Sequence, residues 1–370
     1  MKKKFENTLL LLLCGGLWLA LSVFAWLKPA DSYSDTERRA LETLPAFSLQ
    51  SFFAGDYTSD FTSAAADQFP LRESFRSLKA NAAYRLFQLR DNNAIYLAEG
   101  HLSKLEYPMN GLMLAHAAAL FQKVYDSYLA DSGCSVYFSI VPDKNAHLAA
   151  ANGYPALDYA ALETAMRAET DSYMQYIDIS PLLTLSDYYT TDSHWRQECI
   201  ADVAIALGSA MGADVAAEYT AHTADTPFYG VWAGQAALNV PADSLSYLTS
   251  DVLDGCRVFR YKQPDTPLEM PLYDMEKAAG KDPYEMFLGG AEAFVVLENP
   301  ACDTGKELVI FRDSFGSAVA PLLLEGYSRV TLVDLRYLRS DWLGGFMEFN
   351  GQDVLFLYST MLLNSSLAMQ

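Results

Sequence analysis

Val309 to Pro321 read VIFRDSFGSAVAP. The apolar run stops at Arg312-Asp313, Ser314 follows, and Gly316-Ser317 opens a second apolar stretch with helical spacing. This predicts a strand, a turn at Ser314 and a helix. Consecutive apolar residues leave such a strand no wet face, the mark of a sheet covered on both sides. CSVYFSIVPDKNA (134–146), AEAFVVLEN (291–299), RVTLVDLRY (329–337) and DVLFLYS (353–359) have the same character. Leu112 to Asp131 has an amphipathic helical period, and Trp195 to Met211 reads as a helix closed by Gly212. Strand-like runs alternating with helices predict an α/β fold: a parallel sheet with flanking helices.

In open α/β sheets the ligand crevice lies outside the carboxyl ends of the strands, which aims Ser314 at a site. The turn also offers backbone N–H groups at a helix N-terminus, a place to hold an oxyanion. A serine in this position is also an ordinary helix cap, so it decides nothing by itself. A serine nucleophile needs a base, and the base needs an acid to orient it. Only five histidines are present. One lies in YTTDSHW, Tyr189 to Trp195, where Asp192 and His194 stand two apart. In extended chain their side chains point to the same side, so one carboxylate can hold the ring while its other nitrogen faces Ser314.

Composition narrows the function. The chain has 370 residues, 51% hydrophobic, and a formal net charge of −20. Such a surface repels nucleic acid, and no basic cluster offsets it. Thr8 to Leu27 is an uncharged apolar run, long enough to cross a membrane as a helix. Three lysines precede it, which predicts a single-pass signal anchor with its N-terminus in the cytoplasm and the main domain outside. Beyond it, Cys134, Cys199, Cys256 and Cys302 lie far apart, without CxxC or metal-ligand spacing. Neither metal nor cofactor is expected. The organisation reads as a cytoplasmic tip and anchor (1–30), a helical segment (31–90) and a main domain (91–370). Within the last, a hairpin turns around Gly100, and about 213–290 shows no sustained period, like an insertion or a substrate-facing cap.

Five phrases carry a resemblance. DQFPLRESF (67–75), VPDKNAHL (141–148), YTTDSHW (189–195), FRDSFGSAVAPLL (311–323) and VDLRY (333–337) stand in the order seen in the DHHW family of Gram-positive exported proteins. That family is similar to the alginate O-acetyltransferases, with their SGNH-hydrolase-like domain. The resemblance covers most of the chain beyond residue 35. It implies a catalytic triad with the Asp/His pair before the serine: Ser314 as nucleophile, His194 as general base, Asp192 as its orienting acid. Ser193 replaces the first histidine of the family's D-H-H-W and leaves His194 in place.

Other residues enter as cleft, oxyanion or substrate candidates. Asp313 shapes the turn before the nucleophile. Arg312 pairs with Asp313, meets a substrate carboxylate, or sits as a surface arginine at a sheet end. Lys144 lines the cleft or is a solvated loop lysine. Gly290 and Asn299 resemble places from which such a domain takes further oxyanion donors. Tyr189, Trp195 and Tyr229 offer faces for sugar stacking, with core packing the alternative for Trp195. The function implied is an extracytoplasmic O-acyltransferase, acetyl being the expected group, acting on a cell-surface glycan or exopolysaccharide. A membrane-bound O-acyltransferase partner would supply the acyl donor. A carbohydrate O-acetyl esterase and a catalytically inactive glycan-binding or scaffold subunit are the alternatives, the last because fold does not fix function.

Overall fold

A computed structural model describes residues 2–370. The chain divides into two compact units, residues 1–92 with 234–239, and residues 93–233 with 240–370.

In the first unit Lys2–Leu27 is one helix. Its segment Phe5–Leu27, with mean hydropathy 2.2, is long and apolar enough to cross a membrane. Helices Leu49–Ala54, Asp56–Asp67 and Arg72–Arg85 follow. Asp67 is buried and accepts from Arg39 at 2.6 and 2.8 Å, from Glu42 N at 3.0 Å and from Arg72 at 3.1 Å. These donors hold its carboxyl well below the usual range. The phrase beginning at Asp67 is therefore a local ion-pair knot.

The second unit is built on an eight-stranded mixed sheet with flanking helices. In chain order its strands and hairpins are β1 (Ile95–Ala98), β2 (His101–Lys104), β3 (Ser135–Val141), β4 (Gln175–Tyr176), β5 (Thr220–Phe228) and β6 (Asp243–Thr249). The rest are β7 (Arg257–Tyr261), β8 (Pro267–Met270), β9 (Phe294–Glu298), β10 (Glu307–Arg312), β11 (Arg329–Val333) and β12 (Asp353–Ser359). The main sheet has the order β8-β7-β9-β11-β10-β12-β3-β4. From β11 to β4 the neighbours are parallel, and β8, β7 and β9 are antiparallel additions.

The expected all-parallel sheet is thus corrected to a mixed one. AEAFVVLEN is apolar throughout, as a parallel strand would be, yet burial on both faces sets that pattern whichever way the strand runs. The stretch 213–290 is more regular than its sequence suggests. It holds the β5–β6 hairpin and supplies β7 and β8 to the sheet edge. Its short strands, broken by Pro and Asp, give no period long enough to read.

The alternation along β10 shows why both faces fill. Leu308 and Ile310 join a core with Leu355, Leu357 and helices Ala201–Ala210 and Gly316–Leu323. Val309 and Phe311 join a second core with Val354, Phe356 and helices Gly111–Val124 and Tyr159–Thr170. β10 leads through helix Gly316–Leu323 to β11 on one side, while β12 lies on the other. Ser314 therefore sits at a point where strand order reverses, outside the carboxyl end of β10.

Candidate active site

Asp313 fixes the turn that presents Ser314. Its Oδ1 accepts from Phe315 N at 3.0 Å and its Oδ2 from Ser359 N at 2.9 Å, tying the end of β10 to that of β12. Gly316 begins the helix, where a Cβ would stand 2.6 Å from Arg312 Cβ, so only glycine lets the turn close over the arginine. Arg312 is fully buried, with contacts to Asp334 at 3.3 Å and to the carbonyls of Asp313 and Glu292. Burial pushes its guanidinium below its ordinary value, with Asp334 opposing. It is neither a surface arginine nor placed to meet a substrate.

Ser314 Oγ lies 2.7 Å from His194 Nε2, and His194 Nδ1 lies 2.5 Å from Asp192 Oδ1. Residues 120 apart in sequence thus form one hydrogen-bonded line. Asp192 is fully buried, and its other oxygen accepts from Val231 N at 2.8 Å. His194 N donates to Oδ1 at 3.1 Å, so the carboxylate holds both the ring and the backbone of its partner. Desolvated and donor-rich, this carboxylate is placed to steady an imidazolium.

The turn's aromatic residues fasten it in place. Trp195 is fully buried, and its indole N–H donates to Phe315 O at 3.1 Å, reaching across to the residue after Ser314. Gln197 does the same with Ala318 O at 2.8 Å. Tyr189 is also fully buried, packed edge-on against Phe228. Stacking of sugars on Tyr189 or Trp195 is therefore corrected: neither ring meets solvent. Tyr229, 55% exposed, is free of that objection.

Three further expectations change with position. Lys144 is buried beneath the Tyr189–Asp192 turn instead of lining the cleft. Burial pushes its ammonium down to about 7, against the pull of Asp192, Asp243 and Asp143. Asn299 follows β9, whose Glu298 pairs with Arg329 at the start of β11. It donates to Leu324 O at the sheet end opposite Ser314, because β9 runs antiparallel. Gly290 N is already bonded to Phe287 O at 3.2 Å, so it has no proton to offer an oxyanion. The helix N-terminus is likewise engaged, since Gly316 N and Ser317 N donate to Asp313 O and Ser314 O.

The site also holds a tyrosine that no sequence motif marks. Tyr284, 5% exposed, lies flat on His194 with ring centroids 3.8 Å apart and planes 8° apart. Its hydroxyl is buried without a hydrogen-bond partner, and burial pushes that phenol well above its ordinary value. Nothing in DPYEMF (282–287) marks the tyrosine, because its partner is 90 residues earlier in the chain. Among the described residues no cluster of His, Cys, Asp and Glu could hold a metal, and the five cysteines are free thiols.

No family model matches the sequence, and no curated protein matches it. Solved structures do. A DHHW family protein from Eubacterium siraeum superposes with a TM-score of 0.54 at 19% identity, covering 74% of this chain and 93% of that one. PatB1 of Bacillus cereus, solved with a sulfonyl adduct, gives 0.57 at 16% identity over 73% and 95%. The chain shares their fold. At these identities the likeness is of architecture, and it agrees with the family resemblance carried by the five phrases.

Proposed function

We propose that this chain is an O-acyltransferase working on a cell-surface glycan through an acyl-enzyme on Ser314. The observation that carries the reading is the line Ser314–His194–Asp192, at 2.7 and 2.5 Å. His194 Nε2 takes the Ser314 proton as Oγ bonds to the acyl carbonyl carbon. The tetrahedral intermediate collapses, the donor oxygen leaves, and Nε2–H returns the proton to it. A sugar hydroxyl then gives its proton to Nε2 and attacks the acyl-enzyme, and collapse restores Ser314 Oγ–H. Asp192 steadies the imidazolium at both stages. With the amides of residues 315–317 engaged, Ser314 N is the donor we assign to the oxyanion from this turn.

The anchor-like helix supports an extracytoplasmic setting, with the membrane-bound partner delivering acyl groups as the resemblance implies. The test is the full chain in detergent with p-nitrophenyl acetate and a panel of oligosaccharides. Acetyl appearing on sugar, dependent on Ser314, supports a transferase. Free acetate as the sole Ser314-dependent product makes the chain a deacetylase-type esterase. No acetyl-enzyme and no turnover, with glycan binding kept in Ser314→Ala, would make it a binding subunit.

A further inference from the structure

The turn carrying Asp192 and His194 belongs to no strand or long helix, so its place must come from side chains. Lys144, 1% exposed, stands beneath it. The three N–H bonds of its ammonium meet three carbonyls of the turn: Tyr189 O at 2.9 Å, Asp192 O at 2.7 Å and Thr190 O at 3.3 Å. Asp243, the first residue of β6, does the converse. It accepts from N and Oγ1 of both Thr190 and Thr191 at 2.6 to 2.8 Å. Thr191 O, the one carbonyl Lys144 does not reach, accepts from Trp232 N and Ala233 N. Every carbonyl of Tyr189–Asp192 is thus occupied, and two of its amides end on one carboxylate.

We infer that Lys144 and Asp243 are the positioning residues of the acid–base pair: a cation under the carbonyls and an anion on the amides fix the height at which His194 Nε2 meets Ser314 Oγ. The inference rests on Ser314 being the nucleophile. Burying an ammonium is costly in lost solvation, and an apolar side chain would fill the same space without that cost. What an apolar side chain lacks is three donors in a tripod. Lys144 also faces Asp143 beside it, Asp192 and Asp243 across the turn, and His101 on β2, which burial keeps neutral down to about 4. Burial works against the charged amine, while three carboxylates and three carbonyl acceptors hold it as the clamp.

Neither residue touches the reacting atoms, so the test must separate position from folding. Phenylmethylsulfonyl fluoride labelling of Ser314 is followed by intact mass on the full chain in detergent, with near-ultraviolet circular dichroism as the check on fold. Lys144→Met, of similar length without donors, is expected to label at least a hundredfold more slowly. Lys144→Arg restores at least a tenth of the wild-type rate. Asp243→Asn, which keeps the shape and loses the charge, slows labelling about tenfold and decides the matter if Lys144→Met does not fold. Labelling within threefold of wild type in a folded Lys144→Met or in Asp243→Asn overturns the inference, as does Lys144→Arg doing no better than Lys144→Met. A wild-type chain that never labels at Ser314 removes the nucleophile itself, and the proposed function falls with it.

Discussion

Replacing Tyr284 tests whether the stack on His194 contributes to catalysis. In the proposed mechanism His194 takes the serine proton and becomes a cation lying 3.8 Å from the phenol ring, almost parallel to it. Such a contact is worth about 0.5–1 kcal/mol in water and about 2 kcal/mol or more when desolvated. His194 retains 13% side-chain exposure and Tyr284 is buried, so the contribution falls at about 1–2 kcal/mol. At 1.36 kcal/mol per decade this is roughly 5- to 30-fold in rate. Tyr284→Leu should therefore lose roughly that factor in kcat/KM for p-nitrophenyl acetate and in the rate of sulfonylation. Tyr284→Phe keeps the ring and drops a hydroxyl with no partner, so it should stay within about twofold of wild type and be no less stable. The leucine variant also loses packing, about 1–3 kcal/mol of stability, so each protein is assayed well below its own melting temperature. A folded Tyr284→Leu with wild-type kcat/KM refutes the reasoning. A Tyr284→Phe as slow as the leucine variant also refutes it, shifting the role from the ring face to the hydroxyl.

Asp192→Asn leaves a side chain of the same shape but removes the charge and the acceptor that fix the ring's tautomer, and sulfonylation should slow on the order of 10³–10⁴-fold with little change in melting temperature. Gly230→Ala would place Cβ 2.3 Å from Asp192 Cβ and 2.4 Å from its Cα, so it should lower stability by about 1–3 kcal/mol in urea and slow labelling as well. Gly255→Ala, where an added Cβ meets nothing within 4 Å, is the control and should change neither. Burial, with Lys144 nearby, lowers His101 from 6.5 to about 4, against Asp243 and Glu99. The unfolded chain then binds the extra proton between those values, so stability is full above about 6.5 and declines as pH falls towards 4. Melting temperature against pH should fall less steeply over that window in His101→Gln, and identical slopes would count against the assignment.

The legible part of this molecule is the part set by local pattern. β10, β11 and β12 announce themselves because burial on both faces forces unbroken apolar runs, and the serine turn after β10 follows from where such a strand must end. Asp192 and His194 were readable as a pair because two residues of loop bring them together. Direction was not legible: β9 is as apolar as the parallel strands of the sheet, yet it pairs antiparallel with β11 and β7. Nor could burial of charge be read, since Lys144 and Arg312 look like ordinary cations at strand ends. Only the assembled fold shows one under the Tyr189–Asp192 turn and the other under the Ser314 turn. Tyr284 and Asp243 were hidden for another reason. They lie in a stretch of short strands and 3₁₀ turns, where no period reports what a side chain faces.

That stretch has a physical reason to exist. A buried carboxylate is expensive unless donors surround it, and Asp192 is buried completely. His194 supplies donors from one side only, so a second backbone must come within hydrogen-bond reach from another direction. Residues 230–233 do this: Val231 N bonds Oδ2 of Asp192, Gly230 N bonds Thr191 Oγ1, and Trp232 N and Ala233 N bond Thr191 O. The approach is so close that position 230 accepts no side chain. Further along, the same stretch delivers Asp243 to the amides of the turn and Tyr284 to the face of the histidine. Ser314 is held by the sheet through Asp313 and Ser359, whereas the Asp192–His194 pair is held by residues of the 213–290 stretch. That stretch therefore forms a wall of the candidate site, and a change within it that leaves the sheet intact should still separate His194 from Ser314.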